Sequence, residues 1–196
     1  DLWVVGINYR NTNAEIRGRF AVNNEEYTQY LNQAKCIDAT ETFIISTCNR
    51  TEIYGYTKNI EQLITQYCEA ACVDKNEFIA HSYKKNGIPA LKHMLQVAAG
   101  LDSQILGDYE IVGQIKNAFN VAKEQGTTDI FTNRIFNTIL QSSREIRAKT
   151  EISSGSVSVA FAASQFVKQH LPNIENSKVL ILGAGEIGRN TALNLK

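Results

Sequence analysis

Ser46-Thr47-Cys48-Asn49-Arg50 sets a thiol two residues before a guanidinium, just past the apolar run Phe43-Ile44-Ile45. A cysteine inside the run would be ordinary core packing. One that leaves it among polar neighbours can reach solvent and an electrophile. A free thiol titrates near about 8.5, so a few per cent is thiolate at neutral pH. Arg50 either raises that fraction or grips a carboxylate with its planar fork. A second chemistry lies near the other end. Val179-Leu180-Ile181-Leu182 reads as a strand and runs straight into Gly183-Ala184-Gly185-Glu186-Ile187-Gly188. In a GxGxxG fingerprint the first glycine permits the tight turn, the second lets backbone approach a pyrophosphate, and the third lets helix pack on sheet. The helix amides then face the phosphates. These six residues are the candidate cofactor-binding set, and they do not distinguish NAD from NADP. A cysteine beside a nicotinamide fits two reactions. It attacks an activated acyl group to give a thioester that hydride reduces, or it oxidises an aldehyde through a thiohemiacetal. The residue pattern leaves both open.

Of the three histidines, His93 lies between Leu91 and Met94 in an amphipathic run. Its plainer reading is a surface or half-buried helix histidine. Its functional reading is a proton donor or acceptor for a leaving hydroxyl. His170 is expected near a helix C-terminus, where the dipole favours it, and His81 is ambiguous. Cys68 and Cys72 stand one helical turn apart without a histidine nearby in sequence, so no metal site is expected.

The elements that must position these residues belong to a chain of 196 residues, 43% hydrophobic and 20% charged. Twenty basic residues balance twenty acidic ones, so no bulk field steers the protein to nucleic acid or an anionic membrane. No run approaches the roughly 20 apolar residues of a membrane span. Cys36, Cys48, Cys68 and Cys72 form no CxxC pair, which fits a reducing compartment and a cytoplasmic location. The first residue is Asp1, so a few residues are expected to be missing or trimmed before it.

Leu2–Ile7 is β-rich and predicts a strand reaching about Tyr9. Asn23 and Glu26 have capping-box spacing, after which Tyr27, Tyr30, Leu31 and Ala34 share one helix face. Strands are predicted over Thr42–Thr47 and Thr51–Tyr56. A helix is predicted over Ile60–Cys72, a short helix from Asp74 and a short strand over Phe78–Tyr83. Ile88–Ala99 reads as a helix with Pro89 in its first turn and Gly100 as its stop. A turn-rich stretch runs from Gly100 to Gly107. The helical pattern returns over Tyr109–Glu124, breaks at Gly126, and resumes after the cap Asp129 with Phe131, Ile135, Ile139 and Ile146 on one face. Ser153–Ser156 interrupts it, Val157–His170 is helical, and Pro172 closes that segment. Arg134, Arg144, Arg147 and Lys149 make either a solvated face or a contact for RNA phosphates.

The expected fold class is α/β. An α+β catalytic domain with a mostly antiparallel sheet covers residues 1–105, a long helical spine covers 106–172, and a Rossmann domain begins at 173–196. One strand and part of one helix cannot bury their own apolar faces. The last stretch is therefore expected either to belong to a longer polypeptide or to be a remnant of one, and hydride transfer by residues 1–196 alone is not expected.

These blocks together resemble the glutamyl-tRNA reductase family, which opens the five-carbon route to tetrapyrroles. The resemblance is carried by Gly6-Ile7-Asn8-Tyr9, by Ser46 through Tyr54, by Val97-Ala98-Ala99-Gly100-Leu101-Asp102-Ser103 through Gly107, and by Ile111 through Ala118. The Ser153–Ala160 and Val179–Gly188 stretches complete it, so it spans essentially the whole chain. It implies glutamyl-tRNA as substrate and NADPH as cofactor. Cys48 would capture the glutamyl group as a thioester, release the tRNA, and yield glutamate-1-semialdehyde. His93 matches an acid/base or orienting histidine, and Arg50 matches the residue that recognises the glutamate side. Thr47, Asn49, Glu52, Ser103 and Gln114 fall in substrate-binding blocks. Gly183, Ala184, Gly185, Glu186, Ile187 and Gly188 fall in the NADPH loop. The family fold further implies a V-shaped homodimer in the intact enzyme, and a semialdehyde aminomutase as a partner for the labile product.

Gly18 stands where the family commonly has an acidic residue, and Asp108 replaces a glutamate after Gly107. These departures touch local contacts rather than the chemistry. An aldehyde dehydrogenase would place its cofactor domain before or around the cysteine and would leave the Gly100-Leu101-Asp102-Ser103 block unexplained. A non-enzymatic RNA-binding module would tolerate an inert Cys48, and the retained cysteine, arginine and histidine count against it.

Overall fold

The computed structural model describes residues 1–36, 41–108, 110–150, 152, 159–171 and 173–195. A four-stranded antiparallel sheet forms its centre, in the order β2-β3-β1-β4. The strands are β1 (Leu2–Asn8), β2 (Glu41–Thr47), β3 (Arg50–Tyr56) and β4 (Tyr83–Asn86). Only Cys48 and Asn49 separate β2 from β3, a two-residue hairpin connection. The Thr47 hydroxyl accepts from the amides of Asn49 and Arg50, both at 3.2 Å, and so fixes the turn from within.

Between β1 and β2 lie α1 (Ala14–Arg19) and α2 (Asn24–Ala34). The α2 capping box forms as its spacing predicts, and Tyr27, Tyr30, Leu31 and Ala34 are buried. After β3 come α3 (Ile60–Ala70), α4 (Lys75–His81) and, beyond β4, α5 (Ile88–Ala98). Then follow α6 (Glu110–Glu124), α7 (Ile130–Lys149), α8 (Val159–His170) and α9 (Glu186–Leu195). The strands β1, β2 and β3 are buried along most of their length, which reports cover on both faces. Aromatic rings tie the layers together. Phe43 stacks on Tyr54 at 5.0 Å and meets Phe119 of α6 edge-on at 5.6 Å; Phe119 stacks on Phe136 of α7 at 3.8 Å. The free edge of β2 is blunted by the loop after α6: the Thr42 amide donates to the Thr127 carbonyl at 2.8 Å, and the Thr127 hydroxyl donates back to the Thr42 carbonyl.

Four expectations are corrected. Phe78 belongs to α4 rather than to a strand. It is fully buried between Phe20 and Tyr67, while Asp74 caps the helix, so helical packing wins over the β-rich local pattern. The strand begins only at Tyr83 and is a lysine-bearing edge strand without an apolar signature. On α7 the buried line runs through Thr132, Phe136, Ile139, Leu140 and Ser143, and Phe131 is exposed. Finally, no strand forms over Val179–Leu182 among the described residues. A strand needs a hydrogen-bonding neighbour, and Leu180 and Leu182 are 83% and 89% exposed. The α3 helix also stops at Ala70, short of Cys72, which takes φ +53°. The expectations at Tyr109, Ser153–Ser156 and Pro172 lie outside the described residues.

Candidate active site

Strand pairing gathers the first set of side chains. Asn8 pairs with Arg50, and Gly6 pairs with Glu52 on one side and with Tyr83 on the other. Residues two apart on a strand share a face, so Arg50, Glu52 and Tyr54 project together. Helix α5 adds His93, and the loop after it adds Asp102. Gly6 is a steric requirement here: a β-carbon would lie 2.4 Å from the Thr51 carbonyl oxygen and 2.8 Å from Cγ of Glu52.

The resulting network is dense and buried. Glu52 Oε1 accepts from Arg50 Nη1 at 2.7 Å, from His93 Nε2 at 2.9 Å, and from the Tyr83 hydroxyl. Glu52 Oε2 accepts from the Tyr54 hydroxyl at 2.6 Å. Arg50 also donates to Oδ2 of Asp102 at 3.2 Å and to the Asp102 backbone carbonyl. The other Asp102 oxygen, Oδ1, accepts from Arg10 Nε at 2.6 Å. Arg50, Glu52 and His93 are 1%, 0% and 5% exposed.

Burial alone would push the Glu52 carboxyl up. The Arg50 charge, the His93 ring and the Tyr54 hydroxyl more than offset this and hold it well below the usual carboxylate range. Burial likewise works against the Arg50 charge, but Glu52 and its neighbours raise its pKa further above the ordinary arginine value. Burial and the Glu52 charge push the Tyr54 and Tyr83 hydroxyls up, so both stay protonated donors.

Cys48 is exposed at the apex of the β2–β3 turn. Two contacts brace the turn, and a third ties one of its braces to the loop after α5. Arg17 of α1 donates Nε to the Cys48 carbonyl at 3.0 Å, the Tyr9 amide donates to the Asn49 carbonyl at 2.9 Å, and the Tyr9 hydroxyl reaches the Ser103 carbonyl at 3.3 Å. The loop that carries Asp102 and Ser103 is closed by Gly100 and Gly107, both with positive φ. The Gly107 amide donates to the Gly100 carbonyl at 2.9 Å. A β-carbon on Gly100 would lie 2.8 Å from the Asp108 carbonyl oxygen, so the loop closes only around glycine.

The structure thus joins Arg50, Glu52 and His93 in one network; the turn of Thr47, Cys48 and Asn49 leads directly into Arg50, and Tyr9 links Asn49 to Ser103. Gln114 makes no hydrogen bond to that network among the described residues. It lines an open groove between α6 and α7 with Lys116, Arg144 and Arg147. Arg147 donates to the Asp108 carbonyl at 2.9 Å, so the groove and the glycine-closed loop are physically connected. Arg10, Arg17, Tyr83 and Asp102 were not singled out as functional by sequence reasoning. Asp102 lies inside the Gly100-Leu101-Asp102-Ser103 block, and Tyr83 sat at the end of the misassigned strand.

Donor atoms of Glu52, His93 and Asp102 lie within 4.8 Å of one another, a spacing that suits a metal ion. Here the Arg50 guanidinium supplies the cation to both carboxylates. The glycine turn has a different character. Gly183 has φ +107°, a β-carbon on Gly188 would lie 2.1 Å from the Gly183 carbonyl oxygen, and open space lies over Gly185. The Arg189 amide bonds the Gly185 carbonyl at the start of α9, so the glycine turn runs directly into a helix N-terminus, where backbone amides favour an anion. These features fit a pyrophosphate-bearing cofactor. Among the described residues no helix is long and apolar enough to cross a membrane.

Comparison with known proteins agrees in sequence and in structure. The family model described as glutamyl-tRNAGlu reductase, N-terminal domain, matches residues 5–150. Glutamyl-tRNA reductase 2 of Flavobacterium johnsoniae is 40% identical over 193 residues, covering 98% of this chain and 44% of that protein. The glutamyl-tRNA reductase of Aquifex aeolicus is 35% identical, covering 100% and 49% respectively. The solved structure of glutamyl-tRNA reductase from Methanopyrus kandleri superposes with a TM-score of 0.72 at 27% identity, covering 100% of this chain and 46% of that one. The chain spans about half the length of the curated relatives it matches.

Proposed function

The chain belongs to the glutamyl-tRNA reductase family, and from that premise we propose that residues 1–105 form the acyl-capturing domain of an NADPH-dependent reductase of glutamyl-tRNA. One observation carries the reading: Cys48 is exposed on a rigid two-residue turn, two positions from the buried Arg50. The sulfur attacks the ester carbonyl carbon that joins glutamate to the terminal ribose. A C–S bond forms, the C–O bond breaks, and the thiol proton passes by way of His93 to the departing ribose oxygen. Thr47, Asn49 and Ser103 grip the glutamyl group. Arg50 joins them through the N–H groups it does not spend on Glu52 and Asp102.

Residues 106–172 act as the spine, and 173–196 open the cofactor domain. Gly183, Ala184, Gly185, Glu186, Ile187 and Gly188 would hold the NADPH pyrophosphate. When bound, NADPH would supply a hydride to the thioester, giving glutamate-1-semialdehyde and the Cys48 thiolate, which takes a proton to return to the thiol. The intact protein is proposed to be a cytoplasmic homodimer that hands its product to a semialdehyde aminomutase. The test is to mix the protein with charged tRNA and read the intact mass. One glutamyl adduct at Cys48 is expected, absent from Cys48→Ser. An adduct that persists in Cys48→Ser moves the nucleophile elsewhere and ends this reading.

A further inference from the structure

We infer that Glu52 is a positioning residue: it fixes His93 with its proton on Nε2, so that Nδ1 is the ring nitrogen through which His93 exchanges protons with a substrate. The inference rests on the proposed acyl capture for its purpose, and on the geometry of the network for its content.

A carboxylate offers about four lone-pair sites. At Glu52 three donors, Arg50, His93 and Tyr83, saturate Oε1, and Tyr54 engages Oε2. The lone pair left on Oε2 has no exposed surface through which a substrate ammonium or hydroxyl could reach it. Glu52 is also completely buried, with its α-carbon and side chain pressed against Gly6. A role as a direct substrate ligand is therefore closed to it. What it can do is orient its donors.

For His93 the choice of tautomer follows. In the neutral ring one nitrogen donates and the other accepts. The nitrogen facing Glu52 at 2.9 Å meets an acceptor-only group, so Nε2 must carry the proton. The Tyr83 hydroxyl lies 3.2 Å from the same nitrogen, but it donates to Glu52 as well. It packs against the imidazole edge-on, with ring centroids 5.3 Å apart, and limits rotation of the ring. The Arg50 guanidinium keeps Glu52 charged, and Asp102 holds that guanidinium from the other side. In the neutral ring an orientation set this way leaves Nδ1 as the accepting nitrogen.

The experiment is a long-range proton–nitrogen correlation spectrum of the histidine-labelled chain above neutral pH, without tRNA, with the His93 signals assigned through His93→Gln. The expected result is a single Nε2–H tautomer for His93. Glu52→Gln, whose amide can present either a donor or an acceptor, should give a mixed or inverted tautomer. Its Cys48 acylation should slow on the order of 10²-fold. Tyr83→Phe removes one donor but leaves the Glu52–His93 bond, so the tautomer should survive. A wild-type spectrum showing Nδ1–H overturns the inference, whether or not Glu52→Gln folds; so does a Glu52→Gln spectrum identical to wild type. Because the spectrum is read without substrate, a protein with the expected tautomer but no Cys48 adduct refutes only the acyl-capture reading.

Discussion

Arg50 and Arg144 carry the same guanidinium in opposite circumstances. Arg50 is 1% exposed and spends three of its five N–H groups on Glu52 and Asp102. Arg144 is exposed on α7, where it lines the groove beside Gln114 and Lys116. Arg147 stands between them. It is half-buried, its pKa is lowered by that burial, and it donates to the Asp108 carbonyl. The contrast separates two uses of charge. A charge consumed inside the fold sets geometry, and its loss leaves a partner stranded in a low dielectric. A charge left at the surface costs little to keep or remove, and remains available to a ligand.

The sharpest way to break that contrast is to delete one buried partner. Glu52→Ala leaves the buried Arg50 charge with Asp102 alone and strands the Tyr54 and Tyr83 hydroxyls, so a loss of about 3–5 kcal/mol is expected. Urea unfolding should show it directly, against a near-silent Glu145→Ala at the exposed Lys149 pair. A loss below about 1 kcal/mol for Glu52→Ala would put the network in the same class as surface ion pairs.

Acid is a gentler probe of the same group. The folded-state pKa of Glu52 is depressed from 4.5, so the unfolded chain takes up its proton first as pH falls. Its contribution is fully present above the ordinary carboxylate range and is lost as pH drops below it. Between pH 7 and pH 3 the urea midpoint of wild type should fall more than that of Glu52→Gln. Parallel curves would mean that other carboxylates dominate acid unfolding.

Much of this contrast is absent from the sequence. The local devices were legible: the Asn23–Glu26 capping box, the Asp129 cap, the Gly100 stop and the strands around Cys48 all form where spacing predicts. They depend on residues near one another in the chain. The Cys48 turn was legible for the same reason. The network was not, because it joins β1, β3, β4, α5 and a loop. Nothing local tells that Glu52 meets His93, 41 residues away, or that Arg50 meets Asp102, 52 residues away. The failed strand over Val179–Leu182 has the same cause: its apolar pattern is correct, but pairing depends on a neighbour elsewhere. Phe78 was misread because burial between two aromatic rings outweighed a short β-rich pattern.

Arg147 tests the middle ground. Arg147→Met keeps the stem against the helix but removes the donor to the Asp108 carbonyl. The cost should be about 1 kcal/mol, concentrated in the loop between α5 and α6 rather than spread over the fold. Hydrogen exchange is the measurement, and the Gly107 amide bonded to Gly100 should lose protection first. Uniform loss across the sheet would show instead that Arg147 supports the global core.

The smallest stability effect belongs to the exposed pair Arg134 and Arg144, and it is paired with a distinct effect on binding. Both side chains are exposed on α7, so replacing both with glutamine should change unfolding free energy by no more than about 0.5 kcal/mol. If they lie near tRNA phosphates, each released contact removes counterions from the binding equilibrium. The slope of log affinity against log salt should then become shallower by about two for the double variant. Arg50 cannot be tested this way, since its loss unfolds the site before any slope can be read. An unchanged slope and affinity would assign the groove a purely solvated role. The distinction between the two arginines would then rest on burial alone, with no ligand to claim the exposed charge.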